Sequence, residues 1–349
     1  MQFRQHVPLA PYTTFKIGGQ ARWFAEATSE DEILEAVNFA RTQQLPLFVL
    51  GGGSNLLVSD DGFPGVALHI ANKGIDQEGD TFRVAAGEDW DHFVSHAVEQ
   101  NYAGIECLAG IPGTVGGTPV QNVGAYGQEV AETIAAVRVL DLTTLRFEEL
   151  SPKACGFAYR RSIFNSTERG RYIVTRADYQ LANNGAPRIA YADLKKHFAE
   201  AQTPSLSEVS AAVRKIRRQK GMLIVHNDPD CMSAGSFFKN PVISADHYAR
   251  IAAQFATGLH AVEVPHYPAP EGAIKLPAAW LLDQAGFHKG YTLGNAGISS
   301  RHTLALINKG QARAADILAL RDRIIAEVEA KFQIRLEPEP VWLGPAATH

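Results

Sequence analysis

Leu47-Phe48-Val49-Leu50-Gly51-Gly52-Gly53-Ser54-Asn55 is a short apolar run that ends in three glycines and two small polar residues. Glycine lets backbone N–H groups crowd against a diphosphate and accepts positive φ without steric cost. The next residues, Leu56-Leu57-Val58, are apolar again. A Rossmann fingerprint needs a helix at that point and GxGxxG spacing, and the spacing fails at Leu56. The string predicts a buried strand running into a loop of non-Rossmann type, which on its own could hold phosphate or simply turn the chain.

A second glycine loop, Gly110-Ile111-Pro112-Gly113-Thr114-Val115-Gly116-Gly117, is followed by Asn122-Val123-Gly124-Ala125-Tyr126-Gly127. Pro112 suits the first turn of a short helix whose N–H groups and dipole could face phosphate oxygens, and the alternative is close packing of a turn on a sheet. Two such loops on one α/β unit favour a dinucleotide-like ligand.

Outward from these loops the sequence reads as mixed α/β. Arg22 to Ala27, Pro46 to Leu50, Gly65 to Ile70, Phe82 to Ala86, Ala135 to Leu142 and Tyr172 to Leu181 are strand-like. Ser29-xx-Glu32 is a capping box opening onto a helix, and Asp89 to Gln100 carries Phe93, Val94, Ala97 and Val98 at helical spacing. Ser205-xx-Glu208 caps a further helix with Val209, Val213 and Ile216 on one face, and a domain boundary is expected just after it. A proline-rich loop, Pro265 to Pro270, precedes a long amphipathic helix from about Ala314 to Lys331, and Ile334 to Trp342 is an extended run that should join an existing sheet.

The 349 residues, 46% of them hydrophobic, suffice for two or three units with real cores. The 33 basic and 37 acidic side chains leave a net charge of -4, which offers no global pull toward nucleic acid and no polybasic membrane anchor. Neither nucleic acid nor membrane is an expected partner. Met1 to His6 lacks the apolar run of a secretory signal, and no stretch approaches the roughly 18 to 20 apolar residues of a span, so a cytoplasmic location is expected. Cys107, Cys155 and Cys231 are widely separated and form no CxxC motif, and they read as small hydrophobes or incidental thiols. His92 and His96 lie four apart, but Phe93 stands where a zincin has Glu, and no metal is expected. The cluster Arg214-Lys215-Ile216-Arg217-Arg218-Gln219-Lys220 reads as a stripe that binds a phosphate ligand or stays hydrated, and no GxSxG elbow or Walker A string occurs.

Gly51 to Asn55, Gly110 to Gly117 and Asn122 to Gly127 resemble the FAD-cradling segments of the UDP-N-acetylenolpyruvoylglucosamine reductases, a family with the vanillyl-alcohol-oxidase (VAO/PCMH) type of flavin fold. Thr13-Thr14-Phe15-Lys16-Ile17-Gly18-Gly19 resembles the family's opening, and the similarity runs from about Tyr12 to Leu343. The resemblance implies an α+β fold: a two-lobed FAD-binding domain plus a C-terminal α+β substrate-binding domain. The first lobe would be 1–70, completed by a C-terminal strand in 333–349, the second lobe 71–218, and the substrate domain 219–332. The cofactor contacts would be Gly51, Gly52, Gly53, Ser54, Asn55, Gly110, Ile111, Pro112, Gly113, Thr114, Gly116, Gly117, Asn122, Gly124, Ala125 and Tyr126. FAD would be noncovalent, because no histidine sits in the glycine loops.

The reaction so implied is the NADPH-dependent reduction of UDP-N-acetylglucosamine enolpyruvate to UDP-N-acetylmuramate, a step in peptidoglycan precursor synthesis and hence in cell wall, shape and division. NADPH and substrate would use one pocket in turn on a monomer. Hydride addition to a vinyl ether conjugated to a carboxylate drives negative charge into that carboxylate, so cations or polarising donors and one proton donor are needed. Ala234-Gly235-Ser236-Phe237-Phe238-Lys239-Asn240-Pro241 resembles the family segment with the proton-donating serine, which implies Ser236. Phe157-Ala158-Tyr159-Arg160-Arg161-Ser162-Ile163-Phe164 resembles the segment whose arginine grips the carboxylate, which implies Arg160, with Arg161 as the alternative.

Leu336-Glu337-Pro338-Glu339-Pro340-Val341 resembles the terminal strand with a catalytic glutamate, which implies Glu339. In an extended run Glu337 points to the same face, and periodicity does not separate the two. Family positions for the sugar nucleotide fall on Tyr191, Lys220, Asn240 and Gln284, and Tyr191 matches the tyrosine loop of the type I subclass. Between Lys220 and Ala234 the chain departs from the family's shorter loop, which bears on how the loop closes over a diphosphate. Two other readings are another FAD oxidase of the same fold and a non-catalytic sugar-nucleotide-binding protein.

Overall fold

The computed structural model describes residues 1–198, 203–256 and 263–344. They form two compact units, one built from Met1–Tyr12, Gln20–Gly53 and Gly62–Val225, the other from Thr13–Gly19, Ser54–Asp61 and the residues from His226 onward. The last five positions of the expected C-terminal segment 333–349 lie outside the described residues.

Among its described residues the first unit contains two large sheets and two two-stranded ones. One has the order Phe3–Pro8, Gln20–Ala27, Phe63–Ile70, Leu47–Leu50, with the last three strands parallel. Phe63–Ile70 lies between two parallel neighbours, so Val66, Ala67 and Leu68 are buried in succession rather than alternately. The helix Glu30–Thr42 follows the first parallel strand and buries Ile33, Ala36, Val37 and Ala40. Only half of its expected capping box forms. Ser29 accepts from Glu32 N at 3.2 Å, but the Glu32 carboxylate turns to Thr28, taking its N–H and hydroxyl at 2.7 Å each. Thr28 offers two donors there, and the box geometry offers one.

The second sheet is antiparallel throughout: Arg146–Leu150, Ile134–Asp141, Tyr172–Gln180, Thr81–Ala85, Ile75–Glu78. Its two edge strands, Arg146–Leu150 and Ile75–Glu78, were not legible, being largely exposed and charged. The helix Trp90–Glu99 packs on it through Trp90 and Phe93, which meet Tyr179 at ring centroid distances of 5.8 and 5.0 Å. The polar ends of these rings are satisfied: Trp90 Nε1 donates to Leu108 O at 3.1 Å, and the Tyr179 hydroxyl bonds Thr118 Oγ1 at 2.7 Å. Glu30 joins the two sheets, accepting from Arg138 Nε at 2.7 Å and Thr175 Oγ1 at 2.7 Å. Burial opposes its ionisation, yet these donors hold its pKa below the ordinary value. The helix Leu206–Gln219 has the complete Ser205–Glu208 box and buries Val209, Val213 and Ile216 as its spacing predicts. Residues up to Val225 stay with this unit.

The second unit is built on the helix Ala314–Phe332, which buries Ile317, Leu320, Ile324 and Val328. Its first turn is capped from far away in sequence: the Asp60 carboxylate accepts from Ala314 N at 2.8 Å and Ala315 N at 3.1 Å. Beside it lie the sheet Thr292–Leu293, Ala296–Ile298, Leu306–Asn308 and the helix Ala278–Gln284. Asn308 Nδ2 ties in the 13–19 segment through Phe15 O at 2.9 Å. Of the extended run Ile334 to Trp342, only the end is a regular strand: Val341–Leu343 pairs in parallel with Leu56–Val58. Pro338 and Pro340 lack the N–H a ladder needs, which keeps the preceding residues to a single bridge, Phe238 to Pro338. All three cysteines are buried and outside any disulfide, and burial pushes the pKa of Cys107 up to about 12. Among the described residues no group of three His, Cys, Asp or Glu could hold a metal, and no helix is long and apolar enough to cross a membrane.

Candidate active site

In the first unit the two glycine loops touch. A Cβ on Gly52 would lie 2.6 Å from Gly113 Cα, and one on Gly51 would lie 2.8 Å from Thr114 Oγ1. Only glycine permits this approach of backbone to backbone. Gly53, Gly110 and Gly113 have φ of 60°, 71° and 126°, in the region that side chains avoid. The loops open on a cavity of about 440 Å³ lined by Gly52, Gly110, Ile111, Pro112, Gly113 and Thr114, with Lys73, Asp89, Leu223 and Ile224 around it. That volume falls within the roughly 300–1,000 Å³ of small-molecule sites. A second cavity, of about 340 Å³, lies in the other unit beside Asp60 and Arg313 and contains none of the expected site residues.

One expectation for this loop is corrected. No helix starts at Pro112; a 3-10 turn forms at Val115–Gly117. Its leading N–H groups do not face a ligand, because Val115 N donates to Glu88 O at 2.9 Å and Gly116 N to Ala86 O at 2.8 Å. A Cβ on Gly116 would strike Ala86 Cβ at 2.6 Å, so this glycine packs the turn on the sheet, whereas Gly117 has open space. Among the described residues no acceptor is assigned to the N–H groups of Gly52, Gly53, Gly113 and Thr114. These donors, and the cradle that a Cβ would fill, fit a diphosphate.

The third segment is mostly scaffold. The Asn122 amide is fully engaged, donating to Glu129 Oε2 at 2.8 Å and Ala158 O at 3.1 Å and accepting from Ala131 N at 3.1 Å. Gly124 and Ala125 form a two-residue hairpin arm with Gln128 and Glu129. Arg160 is brought to this segment, its Nη2 donating to Gly124 O at 2.8 Å. It stands at the tip of the tight turn between Ala158 and Arg161 with φ of 54°, a conformation costing a non-glycine residue on the order of 1 kcal/mol or more. Arg160 is half-buried and Arg161 exposed.

Tyr126, Tyr191 and Lys220 also meet in this unit. The two rings are edge to face at 5.3 Å, and Lys220 Nζ is 5.9 Å from the Tyr126 ring. Lys220 pairs with Asp193 at 2.5 Å; burial works against its charge, but Asp193 prevails and raises its pKa. Burial raises the Tyr126 phenol. The basic stripe reading is corrected for two members. Arg214 pairs with Asp91 and donates to Ser95 Oγ at 2.8 Å, and Arg217 donates to Gly110 O at 3.0 Å and Met222 O at 2.7 Å. Their partners lie more than 100 residues away or on backbone carbonyls, which a helical stripe does not reveal.

The second unit holds its own cluster. Phe237, next to Ser236, donates its N–H to Leu304 O at 2.8 Å and accepts Glu339 N at 2.8 Å, while Lys239 N donates to Glu337 O at 3.0 Å. Asn55 Nδ2 donates to Glu339 O at 3.2 Å, and Asn55 O accepts from Val341 N at 2.9 Å. Ser54 O accepts from Thr14 Oγ1 at 3.4 Å. The segments of Ser236, Glu339 and Ser54-Asn55 are thus laced together by main-chain bonds. Asn240 Oδ1 accepts from Ala278 N at 2.9 Å and so serves the first turn of Ala278–Gln284, and Gln284 is half-buried at that helix's end. The departing loop is pinned: Arg301 Nε donates to Asp230 Oδ2 at 2.8 Å and its Nη2 to Asp228, and Asn308 N donates to Met232 O at 2.9 Å.

Two touching glycine loops over one cavity suit a dinucleotide, and residues 21–144 match the family described as FAD binding domain, which puts the chain in the class of flavin-binding oxidoreductases. Residues 227–343 match the family described as UDP-N-acetylenolpyruvoylglucosamine reductase, C-terminal domain. Proteins named UDP-N-acetylenolpyruvoylglucosamine reductase from Thermobifida fusca and Streptomyces coelicolor are each 45% identical, over 98% and 97% of this chain and 98% and 90% of their own lengths. The crystal structure of the enzyme of that kind from Thermus caldophilus superimposes with a TM-score of 0.68 at 27% identity, covering 98% of this chain and 100% of that one. The chain belongs to the UDP-N-acetylenolpyruvoylglucosamine reductase family.

Proposed function

We propose that this chain reduces UDP-N-acetylglucosamine enolpyruvate to UDP-N-acetylmuramate with NADPH as the electron donor and FAD held noncovalently. The observation that carries this reading is the contact of Gly51 and Gly52 with Gly113 and Thr114 at the rim of the 440 Å³ cavity. Bound FAD supplies the hydride relay between the two substrates. Gly51–Gly53 and Ile111–Thr114 enclose its diphosphate, with the backbone N–H groups of Gly52, Gly53, Gly113 and Thr114 as the donors. The sheets of the first unit serve as the flavin lobes, and the second unit as the substrate domain.

Arg160 grips the substrate carboxylate, where a permanent charge with a planar fork stabilises the enolate as it forms. Ser236 delivers a proton to the carbon beside that carboxylate, and Glu339 polarises the carboxyl or assists that delivery. Lys220 and Tyr191 bind the sugar nucleotide, Tyr191 from a segment similar to the tyrosine loop of the type I subclass; Asn240 and Gln284 complete that set. The expected monomeric state and cytoplasmic location belong to the same reading.

An anaerobic stopped-flow experiment tests it. NADPH should bleach a flavin absorbance and the enolpyruvyl sugar nucleotide should restore it. Colourless protein after reconstitution with FAD, or bleached protein that recolours only with oxygen, would end this reading.

A further inference from the structure

Gly110 is held by side chains at both of its backbone polar groups. Its N–H donates to Asp91 Oδ1 at 2.5 Å and its carbonyl accepts from Arg217 Nε at 3.0 Å. A Cβ there would meet Leu223 Cδ1 at 2.8 Å, so the loop is closed in on the third side too. Asp91 in turn pairs with Arg214, and both grips therefore lead to one helix, Leu206–Gln219. Arg217 makes a second bond, from Nη2 to Met222 O at 2.7 Å. One guanidinium thus joins two stretches of backbone, and both stretches line the same cavity, through Gly110 to Thr114 and through Leu223 and Ile224. Lys220 is the cap residue of the same helix.

We propose that Arg217 is a positioning residue for the cofactor, setting the spacing between the second glycine loop and the wall at Leu223-Ile224. This rests on the reading that the cavity takes FAD. Arg217 acts through Gly110 and Met222 rather than on the reacting atoms. A guanidinium suits the task because its donors lie in one rigid plane and can satisfy two carbonyls at once, whereas an ammonium is a point charge on a flexible stem. Ordering of residues 111–114 by the cofactor then orders residues 222–225 as well, next to Lys220. Loading the flavin sets up part of the sugar-nucleotide site before that substrate arrives.

The test uses the full chain stripped of FAD and titrated with it, following quenching of flavin fluorescence, with thermal melting of each apoprotein in parallel. Arg217→Met should weaken FAD binding about tenfold to a hundredfold, the scale of losing hydrogen bonds from a charged donor, and Arg217→Lys should fall between it and wild type. Amide hydrogen exchange on the wild type keeps the question answerable if a variant does not fold: FAD should protect 111–114 and 222–225 together. Protection confined to 111–114, or equal FAD affinity in wild type and Arg217→Met, overturns the assignment to Arg217 alone. Wild-type apoprotein that takes up no FAD overturns the flavin reading along with it.

Discussion

Lys239 Nζ lies 2.6 Å from Glu337 Oε1, so the first of the two glutamates in Glu337-Pro338-Glu339 has its carboxylate engaged by an exposed ion pair. Glu339 is the less exposed of the two, and its backbone is fixed to Phe237 and Asn55. Glu339→Gln should therefore slow flavin reoxidation by the enolpyruvyl substrate by ~10²-fold or more, the scale of general acid–base and polarising groups. Glu337→Gln should change it less than about threefold, since surface pairs contribute about 0–1 kcal/mol. The reverse order in single-turnover traces would move the catalytic role to Glu337.

Ser236→Ala should leave bleaching by NADPH close to wild type and slow recolouring by ~10²–10⁴-fold. Equal slowing of both half-reactions would remove the serine from proton delivery.

Gly52→Ala and Gly117→Ala separate backbone approach from open space. The first puts a methyl 2.6 Å from Gly113 Cα and should yield protein with little bound flavin and a lower melting temperature. The second meets nothing within 4 Å and should leave apoprotein stability within about 0.5 kcal/mol, so any loss of flavin there reports a cofactor contact. Flavin-to-protein absorbance ratios and melts read both.

Much of the scaffold was legible because it is written locally. Ser205 and Glu208 are three residues apart, and the helix that follows carries its own apolar spacing. The meeting of Gly52 with Gly113 was legible only as two glycine-rich strings, without the contact. What stayed hidden depends on partners distant in sequence: Asp60 at the start of the 314–332 helix, and Arg217 on Gly110. Glu337 and Glu339 share a face in an extended run, and the pairing of Glu337 with Lys239, 98 residues away, is not written in that periodicity. Pro112 misled because a proline favours a first helical turn in general, while here Glu88 and Ala86 carbonyls claim the N–H groups that follow.

Asp60→Ala removes the acceptor for two N–H groups at the head of the long helix and should cost about 0.5–2 kcal/mol, as loss of an N-cap does. Urea denaturation followed by circular dichroism measures it; Asp61→Ala, which leaves those bonds intact, serves as the control.

Asp141 titrates in a usable window. Hydrogen bonding from Arg171 outweighs burial and holds its carboxyl down at about 2, below the ordinary aspartate value of 3.8. A depressed acid pKa adds stability that is complete above the unfolded value and is lost as pH falls from about 4 toward 2. Asp141→Asn should lower the urea midpoint at pH 7, and the gap from wild type should narrow by pH 3. A gap that stays constant over that range would show that the carboxylate charge is not what Arg171 holds.

The parallel pairing of Leu56–Val58 with Val341–Leu343 joins two strands made far apart in translation. On the ribosome the earlier strand lacks this partner until the chain through Leu343 has emerged. Synthesis through Leu343, rather than local folding speed, therefore sets when the second unit can close. A frameshift or stop codon shortly before Val341 would strand an apolar edge from residues 56–58, so nascent and truncated chains should be the forms that chaperones and proteases engage.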